Sequence, residues 1–136
     1  MLAYPAIYYE FAAMKRILVI EDQTTIREIV ADLLREFELA DAVEEADSIE
    51  QARKALTDAH WDVVVTDMSL SDGNILDLIE SMQQQGYIFP PILLMSGFLY
   101  GESEQRAKKL GIHHILPKPF VPDQMIDCIQ QMLATD

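Results

Sequence analysis

The 136-residue sequence has a single cysteine, and no apolar run approaches the length of a membrane-spanning helix. With Cys128 alone, no disulfide can form within the chain, so a reducing, cytoplasmic compartment is the default expectation. A helix needs about 20 apolar residues to cross a bilayer, and we therefore expect no membrane segment. The length is sufficient for one domain with a hydrophobic core of its own.

Basic residues are also scarce: ten lysines and arginines stand against 23 aspartates and glutamates, which gives a formal net charge of −13. A surface this acidic repels phosphate backbones, so we expect no direct binding of nucleic acid by this chain. Excess carboxylates suit a divalent cation or a basic partner. The alternative is that the charge serves only to keep the protein in solution.

Residues 1–13 contain no lysine or arginine and therefore lack the charged start of a signal peptide. Their aromatic residues are Tyr4, Tyr8, Tyr9 and Phe11. A second methionine, Met14, then opens a new apolar run. We interpret 1–13 as a poorly ordered N-terminal extension, from an upstream start or an added segment, and 14–136 as the folded domain. The alternative is that the aromatic extension binds a partner.

Five short apolar runs alternate with five amphipathic stretches along the remaining sequence. The runs are 17–20, a weak one around Val43, 63–66, 92–95 and 114–116. The β-branched run 63–65 is typical of a strand that is buried on both faces. A βα unit repeated five times predicts a parallel sheet with helices on both faces. The predicted fold is a single doubly wound α/β domain with a five-stranded parallel sheet.

Helical spacing of apolar residues defines the stretches between the runs. The apolar face of the first helix is predicted to consist of Ile26, Ile29, Val30, Leu33, Leu34 and Phe37. Thr24 or Thr25 is expected to cap the start of this helix. Gly86 lies where a glycine commonly ends a helix. Residues 102–110 form the weakest predicted helix, because its clear apolar contacts are limited to Ala107 and Leu110.

The last helix begins at Pro122, which suits a first helical position, and is expected to end near Leu133. Its apolar residues are Met125, Ile126, Cys128, Ile129, Met132 and Leu133. At 100° per residue they span an arc of roughly 160°, wider than the stripe that a sheet normally covers. Methionines are common on adaptable binding surfaces, so we expect an exposed edge here. The alternative is that Met125 and Met132 fill the edges of the core.

Polar side chains with complementary chemistry follow four of the five predicted strands. Glu21 and Asp22 follow the first strand, Asp67 the third, Ser96 the fourth and Lys118 the fifth. Doubly wound sheets bind ligands outside the carboxyl ends of their strands. Clustered carboxylates repel one another, and Mg²⁺ relieves this repulsion while leaving room for phosphate oxygens. An aspartate can then act as a nucleophile toward phosphorus, while metal and lysine stabilise the equatorial oxygens.

Each of these residues also has a simpler interpretation. A strand-end aspartate such as Asp67 is often a helix cap, a residue like Lys118 is often a solvated surface lysine, and Ser96 alone is typical of a turn. Their joint placement at four strand ends favours a site for phosphoryl chemistry.

Four segments, in order, resemble the receiver domain of bacterial two-component response regulators from Met14 onward. These segments are 17–22, 63–73, 93–97 and 116–120. The resemblance implies a flavodoxin-like fold and a phosphorylation-dependent signalling switch with Mg²⁺ as cofactor. Asp67 would accept the phosphoryl group from the phosphohistidine of a sensor histidine kinase or phosphotransfer protein. No enzymatic activity is implied beyond this transfer and hydrolysis of the aspartyl phosphate.

The resemblance also implies the ligands of the metal. Asp22 and Asp67 would bind Mg²⁺ directly, and Glu21 would act mainly through a metal-bound water. The main-chain carbonyl of Ser69 would be a further ligand.

Other residues would carry the switch. Ser96 would close on the phosphoryl group, and Lys118 would pair with the aspartate or its phosphate. The Lys118–Pro119 peptide is expected to be cis, as it usually is in the family. The change would reach an output face around 97–110 and 122–133, to which a homodimer partner or a target protein is expected to bind. The apolar loop 98–100 follows Ser96 and would move with it.

The sequence departs from the family pattern at three places. Ser71 stands four positions after Asp67, where the family usually has proline, and this change loosens the loop without removing chemistry. Ile115 occupies the position of the switch aromatic, so coupling through an aromatic ring is not expected. The sequence ends after the last helix, where many members continue, and we expect either a stand-alone receiver or a domain of a longer chain.

Three other functions are considered. A receiver-like interaction module that never carries phosphate is disfavoured by the intact set of acidic residues, Ser96 and Lys118. A phosphatase with an aspartate nucleophile would need a second aspartate where Ser69 stands. A nucleotide- or flavin-binding domain would need a glycine-rich turn after the first strand, and residues 21–24 are not such a turn.

Overall fold

The computed structural model describes residues 14–97 and 101–134. The main strands are β1 (Arg16–Ile20), β2 (Ala42–Ala46), β3 (Val63–Asp67), β4 (Ile92–Ser96) and β5 (His114–Pro117). The helices are α1 (Thr24–Glu36), α2 (Ile49–Asp58), α3 (Ile75–Gln84), α4 (Glu102–Lys109) and α5 (Pro122–Ala134). The interpretation of 1–13 as an extension and the expectation for the loop 98–100 both lie outside the described residues.

The main sheet has five strands in the order β2-β1-β3-β4-β5, and every neighbouring pair is parallel. The predicted α/β fold is therefore confirmed. The strand order reverses between β1 and β3, and ligands of such sheets bind beside this point at the carboxyl ends of the strands. A feature that was not predicted is a small antiparallel hairpin after β3, in which Ser69–Leu70 pairs with Gly73–Asn74.

Alternate residues of each strand point into two separate core layers. On one face, β1 contributes Leu18 and Ile20 to a layer that includes buried residues of α2, α3 and α4. On the other face, Ile17 and Val19 pack with α1 and α5. Because both faces are covered, the three central strands β1, β3 and β4 are buried along most of their length. In the described part of the chain, no helix is both long and apolar enough to cross a membrane.

The predicted helix ends are correct at two places and wrong at one. Gly86, at φ 93°, follows α3, and the Tyr87 N–H donates to the Met82 carbonyl at 3.0 Å, as in a glycine-terminated helix. Pro122 is the first residue of α5. The cap predicted for α1 is wrong, because the helix already begins at Thr24 and the extended residue before it is Gln23.

The apolar faces of two helices are covered differently from the prediction. Ile29 and Phe37 on α1 are 56% and 52% exposed, because Ile29 lies about 100° away from the buried Val30 and Phe37 lies beyond the last helical turn. On α5, Met125 and Met132 are fully buried. The expectation of an exposed methionine edge is therefore wrong, because both side chains lie near the middle of the apolar arc.

Candidate functional site

The carboxyl ends of four strands bring the predicted site residues to one edge of the sheet. Glu21 and Asp22 follow β1 directly, Asp67 is the last residue of β3, and Ser96 is the last residue of β4. Lys118 follows β5. The parallel register aligns these ends, since Asp67 is opposite Met95 in the neighbouring strand and Ser96 is opposite Pro117. The site thus depends on segments that are far apart in the sequence.

Three carboxylates form the centre of the site. One oxygen each of Glu21, Asp22 and Asp67 lies within 4.8 Å of the others. Glu21 is completely buried, whereas Asp22 and Asp67 are partly exposed. The cluster is therefore open to solvent and ligands on the side of the two aspartates.

Lys118 provides the positive charge inside this cluster. Its Nζ atom lies 3.2 Å from Glu21 Oε1 and 3.2 Å from Asp67 Oδ1. One ammonium group faces three carboxylates, so negative charge remains in excess when all four groups are ionised. The N–H of Lys118 donates to the Ser96 carbonyl at 2.9 Å, which ties the residue after β5 to the end of β4.

Burial and neighbouring charge shift the pKa values of two of these groups. Burial raises the pKa of the Glu21 carboxyl, and the negative charge of Asp67 raises it further. The N–H of Gln23, 3.3 Å from Glu21 Oε2, and the ammonium of Lys118 partly oppose this shift. Burial alone would lower the pKa of Lys118, but the charges of Asp67 and Glu21 outweigh it and the pKa is raised. Lys118 therefore stays charged.

The remaining predicted positions are Ser96, Ser69, Ile115 and the peptide bond before Pro119. Ser96 is 4% exposed and lies at the carboxyl end of β4. Ser69 is exposed in the small hairpin, close in sequence to Asp67. Ile115 is partly buried and packs on the core layer that contains α4. The Lys118–Pro119 peptide is cis, as expected.

The loop after Asp67 is organised without the usual proline. Ser71 is exposed between the two short strands of the hairpin. Asn74 then caps α3, since its Oδ1 accepts from the Leu76 N–H at 2.7 Å. Asp72 reaches α2, where its carboxylate accepts from the N–H groups of Ile49 at 2.8 Å and Glu50 at 3.2 Å.

The sequence analysis did not identify one residue that lies beside the site. Arg27 on α1 donates from Nη1 to the main-chain carbonyl of Glu21 at 3.0 Å. The sequence does contain a signal for Arg27, since it is a basic residue in the first turn of the helix that follows the acidic pair. This signal does not reveal which carbonyl the guanidinium will contact.

The donor set fits a hard divalent cation. Mg²⁺ prefers oxygen ligands and binds through one or two carboxylates while it keeps several waters. The cluster supplies three carboxylates whose charge exceeds that of the single lysine, and its two aspartates are partly open to solvent. Glu21, Asp22 and Asp67 could therefore hold a metal ion.

An apolar groove of about 500 Å³ adjoins the site. It is lined by Ile26, Ile29, Val30, Gly97, Lys118, Pro119 and Phe120. Lys118 thus contacts both the carboxylate cluster and this groove, so a molecule bound in the groove would lie next to Asp67.

Comparison with known proteins places the chain in a family. Residues 17–130 match the model of the response regulator receiver domain. The chemotaxis protein CheY1 of Helicobacter pylori is 25% identical over 122 residues, which cover 89% of this chain and 98% of that protein. The response regulator protein PilR of Pseudomonas aeruginosa is 29% identical over 105 residues, which cover 77% of this chain but only 23% of PilR.

Solved structures agree with this assignment. The chemotaxis protein CheY4 of Vibrio cholerae has a TM-score of 0.79 at 27% identity, with 89% of this chain and 100% of that chain covered. A response regulator receiver protein from Pseudomonas putida has a TM-score of 0.79 at 26% identity, with 88% and 98% covered. The family match, the parallel five-stranded sheet and the acidic cluster lead to the same conclusion: the chain belongs to the receiver domain family of response regulators.

Proposed function

We propose that this receiver domain is a magnesium-dependent switch that accepts a phosphoryl group on Asp67 from a sensor histidine kinase or a phosphotransfer protein. The observation that carries this proposal is the pairing of Asp67 Oδ1 with Lys118 Nζ at 3.2 Å, within the cluster that contains Glu21 and Asp22. Receiver domains are signalling switches, and this chain has the nucleophile, the carboxylates and the lysine together at one edge of its sheet.

In the transfer, a carboxylate oxygen of Asp67 forms a bond to phosphorus while the bond from phosphorus to the donor histidine nitrogen breaks. Lys118 stabilises negative charge on the equatorial oxygens, and Ser96 contacts the phosphoryl group from the end of β4. Asp22, Asp67 and the main-chain carbonyl of Ser69 would hold Mg²⁺, and Glu21 would act through water. A bound metal ion would supply positive charge that stabilises the phosphoryl oxygens.

A protein as phosphoryl donor is supported by the groove beside Lys118. Ile29 lines this groove and is 56% exposed, so apolar surface is open to solvent next to the nucleophile. Burying such surface is favourable and would hold a donor histidine close to Asp67. We therefore propose that the donor protein docks over α1 and the residues that follow β5, in the same cellular compartment, the cytoplasm.

The output face is proposed around residues 97–110 and 122–133. Helix α4 buries only Ala107 within the helix, and it is held to α3 mainly by Arg106, whose Nη2 lies 2.6 Å from Asp77 Oδ1 and 2.9 Å from Glu80 Oε2. Exposed ion pairs contribute little stability, so α4 can shift at low cost. Movement of Ser96, with Ile115 as the switch position, would change this face for a second copy or a target protein.

The alternative, an interaction module that is not phosphorylated, is not favoured. It offers no explanation for a lysine shared by two carboxylates at the strand ends, because burying such a cluster costs free energy.

The first prediction concerns the acceptor. Acetyl phosphate with Mg²⁺ should add one phosphoryl group to the wild-type chain, and intact-mass spectrometry should detect it. Asp67→Asn should remove the modification, since the amide is not a nucleophile. Asp62→Asn, at the amino-terminal end of β3, is the matched control and should be modified like the wild type. Full modification of the Asp67→Asn variant would contradict the assignment.

A further inference from the structure

Arg27 on α1 bridges the carboxylate cluster and the edge strand β2. Its Nη1 donates to the Glu21 main-chain carbonyl at 3.0 Å, and its Nε lies 3.3 Å from Glu45 Oε1. The side chain of Arg27 is only 15% exposed. The guanidinium therefore has two fixed partners, one at the site and one on the neighbouring strand.

We propose that Arg27 is a positioning residue that fixes the direction of the Glu21–Asp22 pair and thereby the affinity of the site for Mg²⁺. The inference rests on the proposed metal site and deepens it. The carbonyl that Arg27 contacts belongs to the peptide that joins the two acidic residues. Holding the plane of this peptide restricts the rotation that would turn the Asp22 carboxylate away from Asp67.

Glu45 fixes the guanidinium in turn. It lies on β2, and its Oε2 also accepts a hydrogen bond of 3.3 Å from Nη2 of Arg35, a second arginine of α1. Because a guanidinium is planar, contacts at Nε and Nη1 together define its orientation. Groups that orient a metal ligand without touching the metal commonly change metal affinity by 10- to 100-fold when they are removed.

If Arg27 is replaced by a neutral residue, the positioning role and a simple charge effect predict opposite changes in the affinity for Mg²⁺. Removing a positive charge near a cation site strengthens binding of Mg²⁺ by Coulomb's law. Loss of the fixed peptide weakens it, because Asp22 then occupies unproductive orientations. A neutral substitution of Arg27 therefore distinguishes the two effects directly.

Arg35 is a matched control. It lies on the same helix, carries the same charge and contacts the same glutamate. Its other contacts are to the Val43 carbonyl at 2.9 Å and to Asp32, rather than to the acidic pair. Arg27→Gln and Arg35→Gln therefore change net charge equally, but only the first removes the bond to Glu21.

The experiment is calorimetric titration of Mg²⁺ into the full chain, with thermal melting of the metal-free variants alongside. Arg27→Gln is expected to weaken Mg²⁺ binding about tenfold, while Arg35→Gln stays within about twofold of the wild type. Arg27→Lys, which keeps the positive charge but cannot make both contacts of the planar guanidinium, should weaken binding to an intermediate extent. This variant keeps the test decisive if Arg27→Gln does not fold.

Three results would overturn the inference: tighter binding in Arg27→Gln, equal changes in the two arginine variants, or a melting temperature that falls in Arg27→Gln while its Mg²⁺ affinity is unchanged. Failure of the proposed function looks different. In that case, the wild-type chain itself would bind no Mg²⁺ and take no phosphoryl group from acetyl phosphate.

Discussion

At the scale of single residues, the site is governed by an excess of carboxylates in a partly buried position. Lys118 contacts Glu21 and Asp67, and Glu21 additionally accepts the Gln23 N–H, so the buried Glu21 is fully engaged with its neighbours. Asp22 lies on the open side of the cluster and is only partly buried. This difference favours Asp22 as the direct metal ligand and Glu21 as a residue that acts through water.

The next prediction follows from this difference. Mg²⁺ at ten to one hundred times its dissociation constant should stabilise the fold by about 1.4 to 2.7 kcal/mol, which thermal melting can measure. The expected dissociation constant is millimolar to sub-millimolar. Asp22→Ala should abolish the stabilisation more completely than Glu21→Ala, because it removes a direct oxygen ligand.

Asp58→Ala serves as the control for this experiment. Asp58 ends α2 and lies at the opposite end of the sheet, so its loss changes net charge without touching the cluster. The stabilisation by Mg²⁺ should persist there. Equal loss in the Asp22 and Glu21 variants would show that the direct ligand is assigned incorrectly.

At the scale of elements, the loop after β3 is joined to the start of α2. Both carboxylate oxygens of Asp72 accept main-chain N–H groups, from Ile49 at 2.8 Å and Glu50 at 3.2 Å. These bonds satisfy N–H groups that the first turn of a helix leaves without helical partners. They also fix the end of the loop after Asp67, in which Ser71 stands where the family usually has proline.

The third prediction concerns this contact and its pH dependence. The hydrogen bond from the Ile49 N–H lowers the pKa of Asp72, desolvation opposes this shift, and the Glu50 N–H lowers the pKa further. A carboxyl whose pKa is lower in the folded state stabilises the fold above its unfolded pKa and loses that contribution as pH falls through the folded pKa. Asp72→Asn should therefore lower the urea midpoint at pH 7, and the difference from wild type should shrink with acidification.

Asp58→Asn is again an informative comparison, because Asp58 lies at the carboxyl end of the same helix, where negative charge is unfavourable. It should not lower the urea midpoint. If the Asp72→Asn deficit stayed constant down to pH 2, the ionised carboxylate would not be the source of the stabilisation.

At the scale of the whole molecule, the last two helices lie on opposite faces of the sheet and differ in how firmly they are attached. Helix α5 buries Met125, Ile126, Ile129 and Met132. Helix α4 is attached by Ala107, by the ion pairs of Arg106 and by a hydrogen bond of 2.8 Å from Gln83 Nε2 to the Leu110 carbonyl. We therefore expect α4 to respond more readily than α5 when a phosphoryl group brings about −1.5 to −2 charges to Asp67.

Amide hydrogen exchange tests this expectation. Adding beryllofluoride with Mg²⁺, as a mimic of the phosphoryl group, should change the protection of residues 101–110, with smaller changes at 122–133. Asp67→Asn under the same conditions should show neither change. If protection changed only next to Glu21, Asp67 and Lys118, the output face would lie elsewhere on the molecule.

Much of this protein follows from its sequence. The alternation of β-branched runs with 3.6-residue periodicity predicts the parallel sheet and its five helices, because each element must bury its own apolar side chains. The order of Glu21, Asp22, Asp67, Ser96 and Lys118 after successive strands predicts the site, because parallel strands bring their carboxyl ends to the same edge.

The contacts between elements depend on tertiary packing. Whether Met125 or Ile29 is covered depends on how far the sheet extends beneath each helix, which periodicity does not specify. Arg27 reaches the Glu21 carbonyl, and Asp72 reaches α2 across 23 residues of sequence, because of the way the loops pass over the sheet edge. Such contacts require the relative position of two chain segments, and this position is fixed by packing rather than by either segment alone.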